Sequence, residues 1–394
     1  MMKLLSEIAE SVEYGVTASA SNEPVGPKFL RITDIQDGHV DWNTVPWCEG
    51  DMGKLNSAKL KPGDIVFART GATTGKSFLI QDCPSEAVFA SYLIRVRLGT
   101  TAEPAYVSHF FQSEDYWAQI RKGARGVAQP GVNATTLKSL EIPLPPLPEQ
   151  KRIARILDAA DALRARRRTA LAELDALLQS TFLDMFGDPE GQEWVIATVE
   201  EAAQQEKGSI RTGPFGSQLL HSEFVDEGIR VLGIDNVVGN EFRKGEDRFI
   251  TPGKYKQLKR YTVQPGDVLI TIMGTCGRCA IVPDEFETAI NTKHLCCITL
   301  DHQKCLPIYL HAYFLLHPMA QRYLERSAKG AIMSGLNMGI IKALPLPLPP
   351  LDLQRSFAAI VESVKRQKDR MNAHLTELDS LFASLQSRAF NGEL

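Results

Sequence analysis

L-E-I-P-L-P-P-L-P-E-Q-K-R-I (140–153) and L-P-L-P-L-P-P-L-D-L-Q-R-S-F (344–357) are one stretch written twice. A shift of 204 carries Pro143, Pro146 and Gln150 onto Pro347, Pro350 and Gln354, Leu174-Asp175 onto Leu378-Asp379, and Phe186 onto Phe390. Each copy reads as a proline-rich strand exit followed by one long helix. In the second copy Phe357, Val361, Val364, Lys368, Met371, Leu375, Leu378, Phe382, Leu385 and Ala389 follow alternating steps of four and three, a heptad seam with one polar interruption, Lys368. The first copy places Ile153, Leu157, Ala160, Arg164, Arg167, Leu171, Leu174, Leu178, Thr181 and Met185 at the matching positions. No Gly or Pro falls inside either seam, and good helix formers are plentiful. A helix of ~35 residues is roughly 50 Å long, too long to be covered by a small domain. It needs a partner helix, and the chain supplies one.

The repeat extends beyond the helices. Phe29 to Ile35 aligns with Val231 to Val237, and K-P-G-D-I-V-F-A-R-T-G (Lys61 to Gly71) with Q-P-G-D-V-L-I-T-I-M-G (Gln264 to Gly274). Ala87 to Leu98 matches Ala289 to Leu300, and Gly126 and Asn133 match Gly330 and Asn337. The order is therefore domain, helix, domain, helix, with expected boundaries 1–143, 144–187, 188–347 and 348–394. A two-fold repeat implies pseudo-two-fold symmetry, which requires the two helices to pack antiparallel. Each domain reads as mixed α+β: P-G-D turns feed β-rich runs, helical stretches follow (Ala105 to Lys122, Ile308 to Ser327), and a Gly-rich polar loop leads into the proline segment.

With 394 residues, 44% of them apolar and 23% charged, the composition is that of a globular protein, and no run approaches the ~18 apolar residues of a membrane span. The N-terminus carries acids where a signal peptide would be apolar, and seven scattered cysteines fit a reducing compartment; a cytoplasmic protein is expected. The net charge of −3 means that any grip on nucleic acid rests on local patches or on partner subunits.

Gly71-Ala-Thr-Thr-Gly75-Lys76-Ser77 falls one residue short of a phosphate-binding loop, since Thr70 stands where the first glycine is needed. Cys276-x-x-Cys279 is half of a zinc pattern with no second half. No nucleophile, paired-acid or methyl-donor motif is present, so a zinc- or nucleotide-dependent enzyme is the weaker alternative, as is a coiled-coil scaffold without sequence readout. Side chains suited to base edges cluster instead at matching positions. In the first domain these are Arg69, Thr70, Lys76, Ser91, Tyr92, Lys122, Arg125, Gln129 and Asn133. In the second they are Arg211, Ser217, Gln218, Arg278, Asn291, Lys293, His294, Lys329, Ser334 and Asn337.

The twin proline–helix segments, the P-G-D turn in each half and R-T-G-P-F-G-S-Q-L (Arg211 to Leu219) resemble the specificity subunits of type I restriction–modification systems, over nearly the whole chain. The resemblance implies an α+β protein with two pseudo-symmetric mixed α/β target-recognition domains, separated by two long helices packed as an antiparallel coiled coil. Each domain would read half of a split, asymmetric double-stranded DNA site, and the helical spacers would fix the gap and dock two methyltransferase subunits. Motor–nuclease subunits would join the larger complex. The resemblance implies no cofactor, metal or catalytic residue in this chain: S-adenosylmethionine would belong to the methyltransferase, ATP and Mg to the motor. The first domain reads differently around Tyr14-Gly15-Val16-Thr17, so no counterpart of the R-T-G-P-F-G-S segment is expected there.

Overall fold

In the computed structural model, the described residues are 1–36, 38–50, 52–123, 132–329 and 335–394, with the side chains of Met52, Lys54, Gly123, Ala328 and Lys329 excepted. The chain forms two compact units: Met1–Thr169 with Asn372–Leu394, and Ala170–Met371. Each holds one α+β domain and one half of each long helix.

In the first unit a four-stranded antiparallel sheet runs in the order Ala9–Tyr14, Leu93–Leu98, Ile65–Ala68, Ser77–Leu79. The second unit repeats that order with Ile210–Thr212, Leu295–Ile298, Val268–Thr271 and Cys279–Ile281. Beside it lies a second, mixed sheet whose parallel pair is Lys28–Leu30 with Ala87–Phe89 in one unit and Ile229–Leu232 with Ala289–Asn291 in the other. Runs such as Ile65-Val66-Phe67-Ala68 are apolar throughout and buried on both faces, which is why they lack alternation.

The P-G-D turns have a specific role. Asp64 and Asp267 are buried, and each carboxylate accepts a backbone N–H three residues back, from Lys61 (2.9 Å) and Gln264 (2.8 Å). A buried carboxylate also needs a cation. Asp64 receives Arg97 through Nε and Nη2, both at 2.7 Å. At the position matching Arg97 the second repeat has Thr299, whose Oγ1 donates to Asp267 at 2.6 Å, and the cation comes from Arg211 on another strand, 2.7 Å away.

The proline segments form short strands, Glu141–Pro143 against Met2–Leu4 and Pro345–Leu348 against Val195–Thr198. Helices Leu147–Phe186 and Leu351–Phe390 follow, 40 residues each and therefore ~60 Å long, starting only past the paired prolines, which disfavour helical backbone before them. The repeated glutamine joins each helix to its domain. Gln150 accepts from Glu103 N–H and donates to the Thr101 and Pro145 carbonyls, while Gln354 accepts from Leu306 N–H and donates to those of Lys304 and Pro349.

Within each unit the helix segments run antiparallel, as ascending positions on one meet descending positions on the other. In the first unit Arg152 donates to the Leu394 carbonyl (2.5 Å) and Arg164 pairs with Asp379 (2.6 Å). In the second, Asp175 pairs with Lys368 (2.7 Å), and the Phe182 and Phe357 rings stand 5.3 Å apart. The two ion pairs are repeat images of each other, Arg164 matching Lys368 and Asp175 matching Asp379. The polar interruption of the seam is thus a cross-helix ion pair made twice. All twenty predicted seam positions are buried or half-buried, the buried ones lying mainly toward the helix ends where a domain covers them. Phe186 packs on Tyr309 (centroids 5.0 Å) and, symmetrically, Phe390 on Tyr106 (5.4 Å).

Candidate nucleic-acid interface

In the first domain a patch forms where the sheet's central strands end. Arg69 N–H donates to the Tyr92 carbonyl (3.1 Å), and Val132 N–H donates to the Arg69 carbonyl (3.1 Å). These bonds bring Arg69, Thr70, Tyr92 and Asn133 together. The Arg69 guanidinium lies over the Tyr14 ring at 5.0 Å, and the Tyr14 hydroxyl accepts from Ala134 N–H (3.0 Å). Tyr92 is 65% exposed, a large aromatic left uncovered beside a cation, while Ser91 is half-buried. Lys122 is exposed near the end of helix Glu114–Gly123. Arg125 and Gln129 lie outside the described residues.

Gly71 to Ser77 is a hairpin turn feeding the strand Ser77–Leu79 rather than a helix, so the helix N-terminus that a phosphate loop uses is absent there. Gly75 has φ +84, and a Cβ there would press on the Trp117 ring at 3.1 Å. Lys76 is exposed and lines a cleft of about 480 Å³ with Trp42, Trp117, His109 and Asp158.

In the second domain the matching bond, Ile272 N–H to the His294 carbonyl (2.9 Å), brings the Met273–Gly277 turn beside His294. Arg278 and Lys293 are exposed, and no ion pair with another described residue engages either one. His294 lines a concavity of about 810 Å³ with His221, Asp235, Arg248 and Thr292. Burial, then Lys293 and Arg248, hold its pKa below the usual histidine value, so its ring stays neutral near pH 7. Ser217 and Gln218 are exposed on a 3-10 turn, and the Gln218 side chain accepts from the Tyr261 hydroxyl (2.7 Å). Ser334 lies outside the described residues, as does the side chain of Lys329.

Of four expected readers, Arg211 and Asn291 are held inside the fold, while Asn133 and Asn337 are exposed and use their Oδ1 atoms as caps. The Arg211 guanidinium donates to the Gly208 and Thr262 carbonyls, Thr299 Oγ1 and Asp267, leaving it no free edge for a base. Asn291 is fully buried, and its Nδ2 donates to the Leu295 carbonyl (2.9 Å). Asn133 and Asn337 are helix N-caps, their Oδ1 atoms accepting from Thr136 N–H (2.8 Å) and Ile340 N–H (3.0 Å). Their match across the repeat has a capping explanation. A further correction concerns Gly15. A Cβ there would collide with the Phe89 carbonyl (2.3 Å), and one on Gly213 with the Asn291 carbonyl (1.9 Å), which is the matching residue. The first domain therefore does have a counterpart of the Thr212-Gly213 backbone, hidden from sequence by a four-residue slip.

Among the described residues, no group of three His, Cys, Asp or Glu side chains is placed to hold a metal ion. Cys279 is buried while Cys276 is half-exposed on the turn before it. Among the described residues no helix is long and apolar enough to cross a membrane.

The family model for the type I restriction modification DNA specificity domain matches residues 2–174 and 226–379, one match in each repeat. The chain belongs to this family. It is 28% identical to the type I restriction enzyme EcoKI specificity subunit of Escherichia coli, over 93% of this chain and 82% of that protein. It is 23% identical to the EcoBI specificity subunit of Escherichia coli, over 95% and 81% respectively. Among solved structures, a chain from work on complex assembly and conformational transition of the type I R-M system superposes with a TM-score of 0.59 at 18% identity, covering 100% of this chain and 98% of that one. The S subunit of a type I restriction–modification system from M. genitalium gives 0.57 at 14% identity, covering 99% and 96%. Such likenesses speak to the fold: two α+β repeats, each followed by a long helix.

Proposed function

We propose that this chain is the DNA sequence-recognition subunit of a type I restriction–modification complex. Each domain reads one half of a bipartite, asymmetric site in double-stranded DNA, and the helical spacers set the gap and dock two methyltransferase subunits. Motor–nuclease subunits complete the assembly. The division is 1–143 and 188–347 for reading, 144–187 and 348–394 for spacing. The observation that carries the reading is the repeated placement of polar side chains beside the same strand ends: exposed Arg69, Thr70 and Tyr92 in one domain, exposed Arg278 and Lys293 with half-buried His294 in the other.

Lys76, Ser91, Lys122, Ser217 and Gln218 belong to the same surfaces in this reading, as do Arg125, Gln129, Lys329 and Ser334. The domains present different side chains at these positions, so the half-sites differ and the full site is not a palindrome. Catalysis resides in the partners, which bring S-adenosylmethionine, ATP and Mg, and the complex works in the cytoplasm. The net charge of −3 fits a subunit whose partners supply much of the phosphate grip.

The test is the methylome of a host with and without this gene. A split asymmetric motif that vanishes on deletion is expected, and Arg278→Ala should alter one half while Arg69→Ala alters the other. A single continuous motif, or methyl transfer by the purified chain alone, would refute the reading.

A further inference from the structure

Both domains carry a 3-10 turn directly after the first strand of the parallel pair: Ile32–Asp34 after Lys28–Leu30, and Ile234–Asn236 after Ile229–Leu232. In the first domain the Asp34 carboxylate caps the turn by accepting Arg31 N–H (2.8 Å). It also holds the Arg31 guanidinium as a fork, through Nε (3.0 Å) and Nη2 (2.7 Å). In the second domain Asn236 takes over the cap, accepting Gly233 N–H at 2.7 Å. Position 233, which matches Arg31, is glycine, and a Cβ there would stand 2.4 Å from Nη2 of Arg248. Arg248 comes from the neighbouring chain segment, where its carbonyl accepts Val231 N–H (2.9 Å), and its Nη2 pairs with Asp235. The arginine is delivered by different parts of the chain in the two repeats. In each, one guanidinium still ends over the same turn and bonds one aspartate, Arg31 through two nitrogens and Arg248 through one, with Glu246 also near Arg248.

Neither clamp is closed off. The Arg31 side chain is 41% exposed and that of Arg248 28%. Arg248 lines the 810 Å³ concavity with His294 and Thr292. The parallel register ties Leu30 to Ala90 and Leu232 to Thr292, each through a 2.9 Å bond. Both clamps thus lie at the root of the loops that bear Ser91-Tyr92 and Lys293-His294.

A guanidinium already neutralised by a carboxylate has little net charge to offer a phosphate. What it offers is direction: Asp34 takes Nε and Nη2 of Arg31 and leaves Nη1. In Arg248, Nη2 bonds Asp235, Nε is buried and Nη1 stands 3.8 Å from Glu246. In both, the donors that remain lie at the Nη end of a held guanidinium. The base edge with two matching acceptors is guanine, through O6 and N7 in the major groove. We propose that Arg31 and Arg248 are specificity-determining residues, each reading one guanine in the half-site of its own domain, with Asp34 and Asp235 as positioning residues. The proposal rests on the DNA-reading function above.

The complex reconstituted with its methyltransferase subunit is tested against a library of duplexes randomised in both half-sites. The wild type should select at least one G·C pair in each half. Arg248→Gln and Arg248→Lys should each lower discrimination at one such pair in a single half by about ten- to a hundred-fold. Preference at every other position should stay, and so should the slope of log affinity against log salt. Arg31→Gln and Arg31→Lys should do the same in the other half. Asp235→Asn and Asp34→Asn should weaken the same positions less. The lysine variants keep charge and stem, so they carry the test where a glutamine variant fails to fold. Uniform weakening with a salt slope reduced by about 1 would make these phosphate contacts and overturn the proposal. An unchanged motif in a variant that melts like wild type would overturn it as well. A wild-type complex without any sequence preference would instead sink the DNA-reading function itself.

Discussion

Replacing Arg211 by methionine separates a structural arginine from a DNA-reading one. The guanidinium side chain is 11% exposed and sits 2.7 Å from Asp267, itself 1% exposed. Removing the cation leaves a buried carboxylate, and breaking such a pair from one side costs ~3–5 kcal/mol. Asp267 keeps three donors, Gln264 N–H, Thr299 Oγ1 and Cys297 Sγ, so the expected loss is at the lower end, ~3 kcal/mol. For a domain of this size that is a fall of ~6–12 °C in melting temperature. Removing both charges, with Arg211→Met and Asp267→Asn together, should recover part of the loss, since no unpaired ion remains. Calorimetry of the intact chain gives the stability, and site selection by the reconstituted complex gives the specificity. Folded Arg211→Met should select the wild-type motif in both halves. A variant that melts like wild type yet changes the second half-site would refute the argument and return Arg211 to the DNA interface.

Along the helix seam the cost of truncation should follow burial: Phe357→Ala, at a position 1% exposed against Phe182 and Phe186, should lose ~3–5 kcal/mol in urea denaturation, and half-buried Leu174→Ala only ~1–2 kcal/mol. Equal losses at both would show that the middle of the pair is covered as well as its ends. Burial pushes the Cys296 and Cys305 thiols up to about 12 and raises those of Cys279 and Cys297 as well. With Cys48 also buried, a thiol reagent at pH 8 should label only Cys83 and Cys276 quickly; rapid labelling of a third would refute that packing. His317 is 3% exposed, its Nδ1 accepts Met319 N–H, and burial holds its pKa below 6.5. Protons then bind the unfolded chain more readily, so this contribution to stability is complete above pH ~6.5 and is lost as pH falls toward the folded pKa. Melting temperature should drop below that pH, and His317→Gln should flatten the drop; an identical pH profile in the variant would exclude His317 as its source.

The seam, the repeat and the order of domains and helices were legible in the sequence, because each is a statement about spacing along one chain. A heptad pattern over 40 residues dictates a helix with one sticky stripe, and writing it twice supplies the partner. Gln150 and Gln354 were visible as matched residues, though their threefold bonding was not. Tertiary structure decided which polar side chains are free. Arg211 is committed to Asp267, 56 residues away, and Asn291 is buried by a turn whose closure depends on neighbouring strands. Asn133 and Asn337 repeat because each caps a helix. The clamped arginines were hidden for the same reason. Arg31 and Arg248 occupy unmatched positions and meet at equivalent turns only once strands are paired. Sequence spacing specifies a periodic element locally, whereas the availability of a donor depends on every group that folding brings within hydrogen-bonding reach.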